Sequence, residues 1–163
     1  MLIAITGLPG SGKSTFGRSY FGADAHPNAK CPLFETDEFF YQKDQSRPET
    51  WVYRFDPEKL GVNHLRNQER TRRWLAQNPR GTCVVSNTFS QHWELEPYVK
   101  IAAETHHTIR VYYCDPDPLT LEDLAENNLH GVPLETIIRM DQRWERVPAA
   151  ISVFPYRTMA RVR

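Results

Sequence analysis

The chain has 163 residues, 25% of them charged and 40% hydrophobic, a balance that excludes a disordered chain and suits one domain with a real core. Its 20 Lys+Arg stand against 20 Asp+Glu, and a formal net charge of zero argues against a protein that coats nucleic acid by bulk charge. No apolar run is long enough to span a bilayer, Met1-Leu2-Ile3-Ala4-Ile5 is too short for a signal-peptide core, and Cys31, Cys83 and Cys114 form neither a C-x-x-C site nor a paired framework; cytoplasmic localisation is expected.

Residues 2–6 (LIAIT) read as a short buried strand ending at Gly7, and 13–21 as a helix. Leu33-Phe34-Glu35-Thr36 is a second strand stopping at Asp37. Residues 38–55 read as a polar, aromatic loop, the longest irregular stretch of the chain. Asp56-Pro57 places an N-cap before a proline at the first helical position, opening a helix to about Gln77. Thr82–Ser86 is a strand, 91–104 a helix and 107–114 a strand. A helix over about 117–129 ends at His130-Gly131, and Pro133 starts another to about Arg146. Ile151–Phe154 is a candidate edge strand. This alternation predicts one α/β domain over 1–163, a three-layer sandwich with a mostly parallel sheet of about 4–5 strands.

The segment Gly7-Leu8-Pro9-Gly10-Ser11-Gly12-Lys13-Ser14-Thr15 satisfies G-x-x-x-x-G-K-[ST] between a strand and a helix, the phosphate-binding cradle of a P-loop NTPase fold. Glycines let successive N–H groups form a nest, and the helix N-terminus adds its positive end. Lys13 is expected to reach the β- and γ-phosphates of ATP, and the Ser14 hydroxyl to ligate Mg²⁺. No N-K-x-D base-reading motif is present, which sets a GTPase aside; the length suits a small phosphotransferase better than a motor.

Asp37 follows the second strand, at the edge of the sheet where ligands bind in this architecture. A carboxylate there can take the proton of an attacking hydroxyl. The bland alternative makes Asp37 an N-cap and Glu38 a solvated charge. On the 57–77 helix, Leu60, His64, Asn67, Thr71, Trp74 and Leu75 share one face, with Arg70 at its edge. His64 and Asn67 are either a hydrogen-bonded buried pair or substrate contacts.

These residues resemble the polynucleotide kinase branch of P-loop kinases, which includes phage-type 5′-hydroxyl kinases and kinase-like domains of certain eukaryotic ubiquitin-ligase-binding proteins. The resemblance runs from Leu2 to about Arg146. Beyond the cradle it rests on Thr36-Asp37-Glu38-Phe39-Phe40, on His64, Asn67 and Arg70, on Trp93-Glu94-Leu95-Glu96-Pro97-Tyr98, on Asn128-Leu129-His130-Gly131-Val132-Pro133 and on Arg139-Met140. It implies Asp37 as general base, ATP and Mg²⁺ as cofactors, and His64, Asn67 and Arg70 as candidate substrate contacts; Asn87, after the third strand, is a further candidate. Two departures stand out. The third strand ends in Ser86-Asn87-Thr88-Phe89 where relatives carry an acid, and the lid region, about 117–132, has Glu126-Asn127 where they tend to carry arginines. Arg139 and Arg143 are candidate lid cations, or else a charged outer face.

Phe39, Phe40, Tyr41, Trp51, Tyr53 and Phe55 crowd the 38–55 segment, with Lys43, Arg47 and Arg54 among them. They either pack the loop down or stack bases of a strand end, at about 1–3 kcal/mol per base. The expected activity is transfer of the γ-phosphate to a hydroxyl, with a nucleic-acid or nucleotide 5′ end as favoured acceptor. A nucleoside, another small molecule, a modified DNA base, or a regulatory ATP-binding module are the alternatives. No membrane partner is expected.

Overall fold

β1 (Leu2–Thr6) is buried on both faces because its side chains alternate between two helical layers. Leu2 and Ala4 pack with Leu75, Leu95, Tyr98 and Ile101, whereas Ile3 and Ile5 pack with Leu33, Val84 and Tyr112. The computed structural model describes residues 1–26 and 28–156, so residues 157–163 of the expected domain lie outside the described residues. After β1 come α1 (Lys13–Phe21), β2 (Leu33–Phe34), β3 (Tyr41–Lys43), β4 (Trp51–Tyr53) and α2 (Leu60–Gln77). Then follow β5 (Cys83–Ser86), α3 (His92–Glu104), β6 (Ile109–Cys114), α4 (Leu121–Asn127), α5 (Leu134–Gln142) and β7 (Ile151–Val153).

Five strands among the described residues form one sheet in the order β2-β5-β1-β6-β7, every adjacent pair parallel. Helices α2 and α3 cover one face through Leu75, Leu95, Tyr98 and Ile101; α1 covers the other through Phe16 and Phe21. The expected α/β three-layer sandwich is therefore the observed one, and the edge strand at 151 is real. Among the described residues no helix is long and apolar enough to cross a membrane. The chain leaves β1 toward β2 on one side and leaves the adjacent β6 toward β7 on the other, so a crevice opens between the carboxyl ends of β1 and β6.

Three expectations need correction. Residues 38–55 are irregular only in part: Thr36–Phe40 form a 3-10 turn, and β3 and β4 pair as an antiparallel hairpin with Tyr41 opposite Tyr53. Aromatic and β-branched residues on either side of a polar turn favour a ladder over a loop. The second strand is shorter than expected, ending at Phe34 where the 3-10 turn begins at Thr36. Helix α5 ends at Gln142 rather than about Arg146, because the Glu145 N–H donates to Ser90 O (2.8 Å) and its carboxylate accepts from the His92 N–H (2.7 Å).

A small separate core joins the cradle to α4 and α5: Leu8 packs with Leu124 and Ile137, flanked by Val132, Met140 and Trp144. Gly10 (φ 80°) is required there, since a Cβ would fall 2.2 Å from the Leu124 carbonyl oxygen. Helix α4 thus lies directly on the cradle.

Candidate active site

The cradle turns from β1 into α1 through Gly12, whose φ of 82° makes it a left-handed N-cap. The Phe16 N–H donates back to the Gly12 carbonyl (2.8 Å), leaving the first-turn N–H groups open toward a cleft of about 430 Å³. Pro9, Gly10, Gly12, Lys13, Ser14 and Thr15 line that cleft. Gly7 and Ser11 do not line it; they shape the loop from within, the Gly7 N–H donating to Thr88 O (3.2 Å) and the buried Ser11 N–H to Leu8 O (3.1 Å). Lys13 turns its ammonium onto the Leu8 carbonyl (2.9 Å). Burial holds that ammonium below its ordinary value, against the opposing pull of Cys114, Glu35 and Asp37.

Across the cleft, Asp37 sits in the 3-10 turn with its side chain 45% exposed. The Tyr53 hydroxyl donates to Asp37 Oδ1 (3.0 Å), and His130 Nε2 lies 3.8 Å from Oδ2. Burial, then the Asp37 charge, push the Tyr53 phenol far up, so it remains a donor. The Tyr53 and His130 rings are 4.5 Å apart. Asn128 builds the turn that delivers His130: its Oδ1 accepts from the His130 N–H (3.1 Å) and the Val132 N–H (2.9 Å), and its Nδ2 donates to Ala125 O and Val132 O. The hairpin and the turn after α4 thus converge on one carboxylate. Neither Tyr53 nor His130 stood out as a site residue in sequence; the only signal was the aromatic cluster and the N-x-H-G segment.

Glu35 was also missed. Its carboxylate accepts from the Ser14 hydroxyl and lies 3.6 Å from the Arg18 guanidinium. Ser86 and Asn87, at the end of β5, line the same cleft; Ser86 Oγ is buried without a protein partner, and Asn87 Oδ1 accepts from the Thr36 N–H (3.0 Å). Among the described residues no three His, Cys, Asp or Glu cluster as a metal cage. The oxygen donors present still fit Mg²⁺, which takes one or two protein ligands and completes its shell with water and substrate phosphates.

The remaining candidates separate. His64 lines the cleft with Nδ1 3.2 Å from Thr36 Oγ1. Asn67 does not; fully buried, it donates to the Tyr98 hydroxyl (2.9 Å) and accepts from Arg70. Burial raises the Tyr98 phenol to about 12, so the partner is a neutral hydroxyl. The Arg70 guanidinium is held by Glu38, Asn67 and the Glu35 carbonyl and rests on the Phe34 and Phe39 rings, 4.6 and 4.7 Å away. Glu38 is therefore paired rather than solvated, its carboxyl raised by burial despite Arg70. This network pins the Asp37 turn to α2. Of the two arginines expected as candidate lid cations, Arg143 lines the cleft and donates to Ser90 Oγ (3.2 Å), whereas the exposed Arg139 donates to Thr136 Oγ1 (3.1 Å). The aromatics divide as well: Phe40 is buried against Tyr53 and Phe55, while Tyr41, Trp51 and Phe55 remain exposed.

Two outcomes follow from these placements. Asn67→Ala should lower stability by about 1–3 kcal/mol in urea denaturation, because Tyr98 and Arg70 both lose a buried partner. Burial also holds the His64 imidazole below its ordinary value against the charges of Glu94 and Asp37. The unfolded chain then binds that proton first, so stability is flat above about pH 6.5 and falls as pH drops below it toward the folded value. A His64→Asn chain should lose less stability than wild type across that window.

Residues 2–147 match the AAA domain family. Human NEDD4-binding protein 2 is 32% identical over 149 residues, which is 90% of this chain and 8% of that protein; the chain spans only a small part of the curated relative it matches. The APS kinase CysC of Mycobacterium tuberculosis, whose structure holds AMPPNP and APS, superposes with TM-score 0.57 at 15% identity over 99% of this chain and 94% of that one. A chain of the Pnkp1/Rnl/Hen1 complex superposes with TM-score 0.52 at 20% identity, over 77% of this chain and 38% of that one. At such identities these two likenesses concern the fold alone. With a cradle between β1 and α1, a parallel sheet in the order above and a match across residues 2–147, the chain belongs to the AAA domain family and has a P-loop kinase-like fold.

Proposed function

We propose that this domain transfers the γ-phosphoryl group of ATP to an alcohol, with the 5′-hydroxyl of a nucleic acid or nucleotide as acceptor. The observation that carries the reading is the placement of Asp37 on the cleft wall facing the cradle, with Oδ1 engaged by Tyr53 and Oδ2 turned toward His130. The cradle N–H groups and Lys13 hold the phosphates. The acceptor oxygen bonds to the γ-phosphorus, the bond to the β–γ bridging oxygen breaks, and the hydroxyl proton passes to Asp37 Oδ2. ADP leaves with the electron pair of the broken bond. Bound at Ser14, Mg²⁺ would neutralise charge on the phosphate oxygens. Arg143, on the cleft wall, serves as the lid-side cation, since residues 117–132 contain no Lys or Arg.

Support for a polynucleotide acceptor comes from the motif resemblance, from the exposed Phe55 ring on the cleft wall, and from the exposed Tyr41 and Trp51 rings on the adjoining hairpin. The lid's lack of arginine favours a second reading, a nucleotide-binding module with weak turnover. Transfer of label from [γ-³²P]ATP is the test, run with a 5′-hydroxyl oligonucleotide, with nucleosides and with no acceptor. Labelled oligonucleotide supports the proposal. Label on nucleosides alone overturns the nucleic-acid acceptor, and tight ATP binding without acceptor-dependent turnover leaves the module.

A further inference from the structure

A divalent cation at Ser14 would find only neutral groups at the end of β5, where Ser86 and Asn87 stand. We infer that Glu35 is the positioning carboxylate of the cation site at Ser14, supplying from the end of β2 the negative charge that β5 lacks. The inference rests on the nucleotide-binding reading of this cleft and goes beyond it in assigning Glu35.

Three observations converge. The Ser14 hydroxyl donates to Glu35 Oε1. A hydroxyl has one proton and two acceptor lone pairs, so engaging the proton on Glu35 leaves the lone pairs for a cation and fixes their direction. Second, Ser86, 3% exposed, presents a buried hydroxyl with no protein partner to the same cleft. That oxygen can hold a water of a hydrated cation but contributes no charge. Third, Glu35 is held in place from two sides. Its backbone carbonyl accepts from Arg70 (3.3 Å), and Arg18 stands 3.6 Å from its carboxylate.

Stability does not account for the arrangement. The Arg18 side chain is 52% exposed, and an ion pair so open to water contributes little. Asp37, two residues along, is engaged by Tyr53 instead, so the two acids of this turn face different tasks. Glu35 acts through the serine it touches.

Binding of Mn²⁺ to the ADP complex, followed by electron paramagnetic resonance, tests this without turnover. Wild type, Ser14→Ala, Glu35→Gln and Glu35→Asp are compared, and ADP affinity is measured separately in EDTA. Glu35→Gln should weaken Mn²⁺ by about 10–100-fold and change metal-free ADP affinity by less than about twofold. Glu35→Asp, which keeps the charge but retracts it by one methylene, should fall between wild type and Glu35→Gln. Unchanged Mn²⁺ affinity in Glu35→Gln overturns the inference. So does an equal loss of ADP affinity with and without metal, the result of a purely structural role, or an Asp variant weaker than the Gln variant. If wild type binds Mn²⁺ with ADP and Glu35→Gln does too, only the Glu35 assignment fails; if wild type binds no ADP at all, the reading of the cleft fails with it.

Discussion

Asp37→Asn is expected to lower kcat for acceptor phosphorylation by about 10²–10⁴-fold, the contribution of one positioned general base. The amide keeps the size of the carboxylate, and its oxygen can still accept from the Tyr53 hydroxyl, so the 3-10 turn should hold its shape. What it cannot do is take up a proton. Nucleotide affinity should therefore stay within about twofold of wild type, because the cradle and Lys13 are untouched. Single-turnover transfer and equilibrium binding of a fluorescent ATP analogue check the two halves. Tyr53→Phe is the graded companion: it removes the hydrogen bond to Oδ1 but leaves the base, so its loss should be smaller. Equal activity of Asp37→Asn and wild type would remove Asp37 from the reaction and leave its exposed carboxylate without a chemical role.

Lys13→Met should remove most of the nucleotide-dependent stabilisation while leaving the ligand-free domain about as stable as wild type. In the free domain the ammonium is partly enclosed, with its pKa held down by burial, and rests on the Leu8 carbonyl. Methionine forfeits that hydrogen bond but relieves the desolvation of a charge, so the ligand-free stability should move by less than about 1 kcal/mol. With nucleotide the balance reverses. Wild type at 100 times its Kd gains about 2.7 kcal/mol, which a roughly 100-fold loss of affinity would cut to about 0.4 kcal/mol. Differential scanning fluorimetry with and without ATP reads both quantities in one experiment. A large drop in the ligand-free Tm would mean that Lys13 is a structural pillar of the loop, contrary to this account.

The cradle was legible in sequence because its chemistry is contiguous. Glycines that permit the turn, a lysine and a hydroxyl stand within residues 7–15, and the strand and helix around them follow from local pattern. The position of Asp37 on the cleft wall was legible for a related reason, since it follows a short apolar run whose carboxyl end a parallel sheet sets on the same edge as the cradle. Arg70 shows where local pattern stops. A cation beside His64 and Asn67 looks the same whether it faces a substrate or, as here, Glu38 and the Phe34 and Phe39 rings. The hairpin at 41–53 was hidden because two three-residue strands leave too short an alternation to read.

The alternation of short apolar strands with helices and the 7–15 cradle are properties of the chain taken alone; they determined the fold class and where the cradle lies in it. Tertiary structure decided the division of labour among the side chains. Tyr53 meets Asp37 across 16 residues and Ser14 meets Glu35 across 21, while His130 arrives from α4's far end on a turn built by Asn128. Hydrogen bonds act within about 3 Å, and residues that far apart in sequence come within reach only once the sheet order has been set. Which carboxylate takes the Tyr53 hydroxyl and which takes that of Ser14 is therefore a consequence of packing.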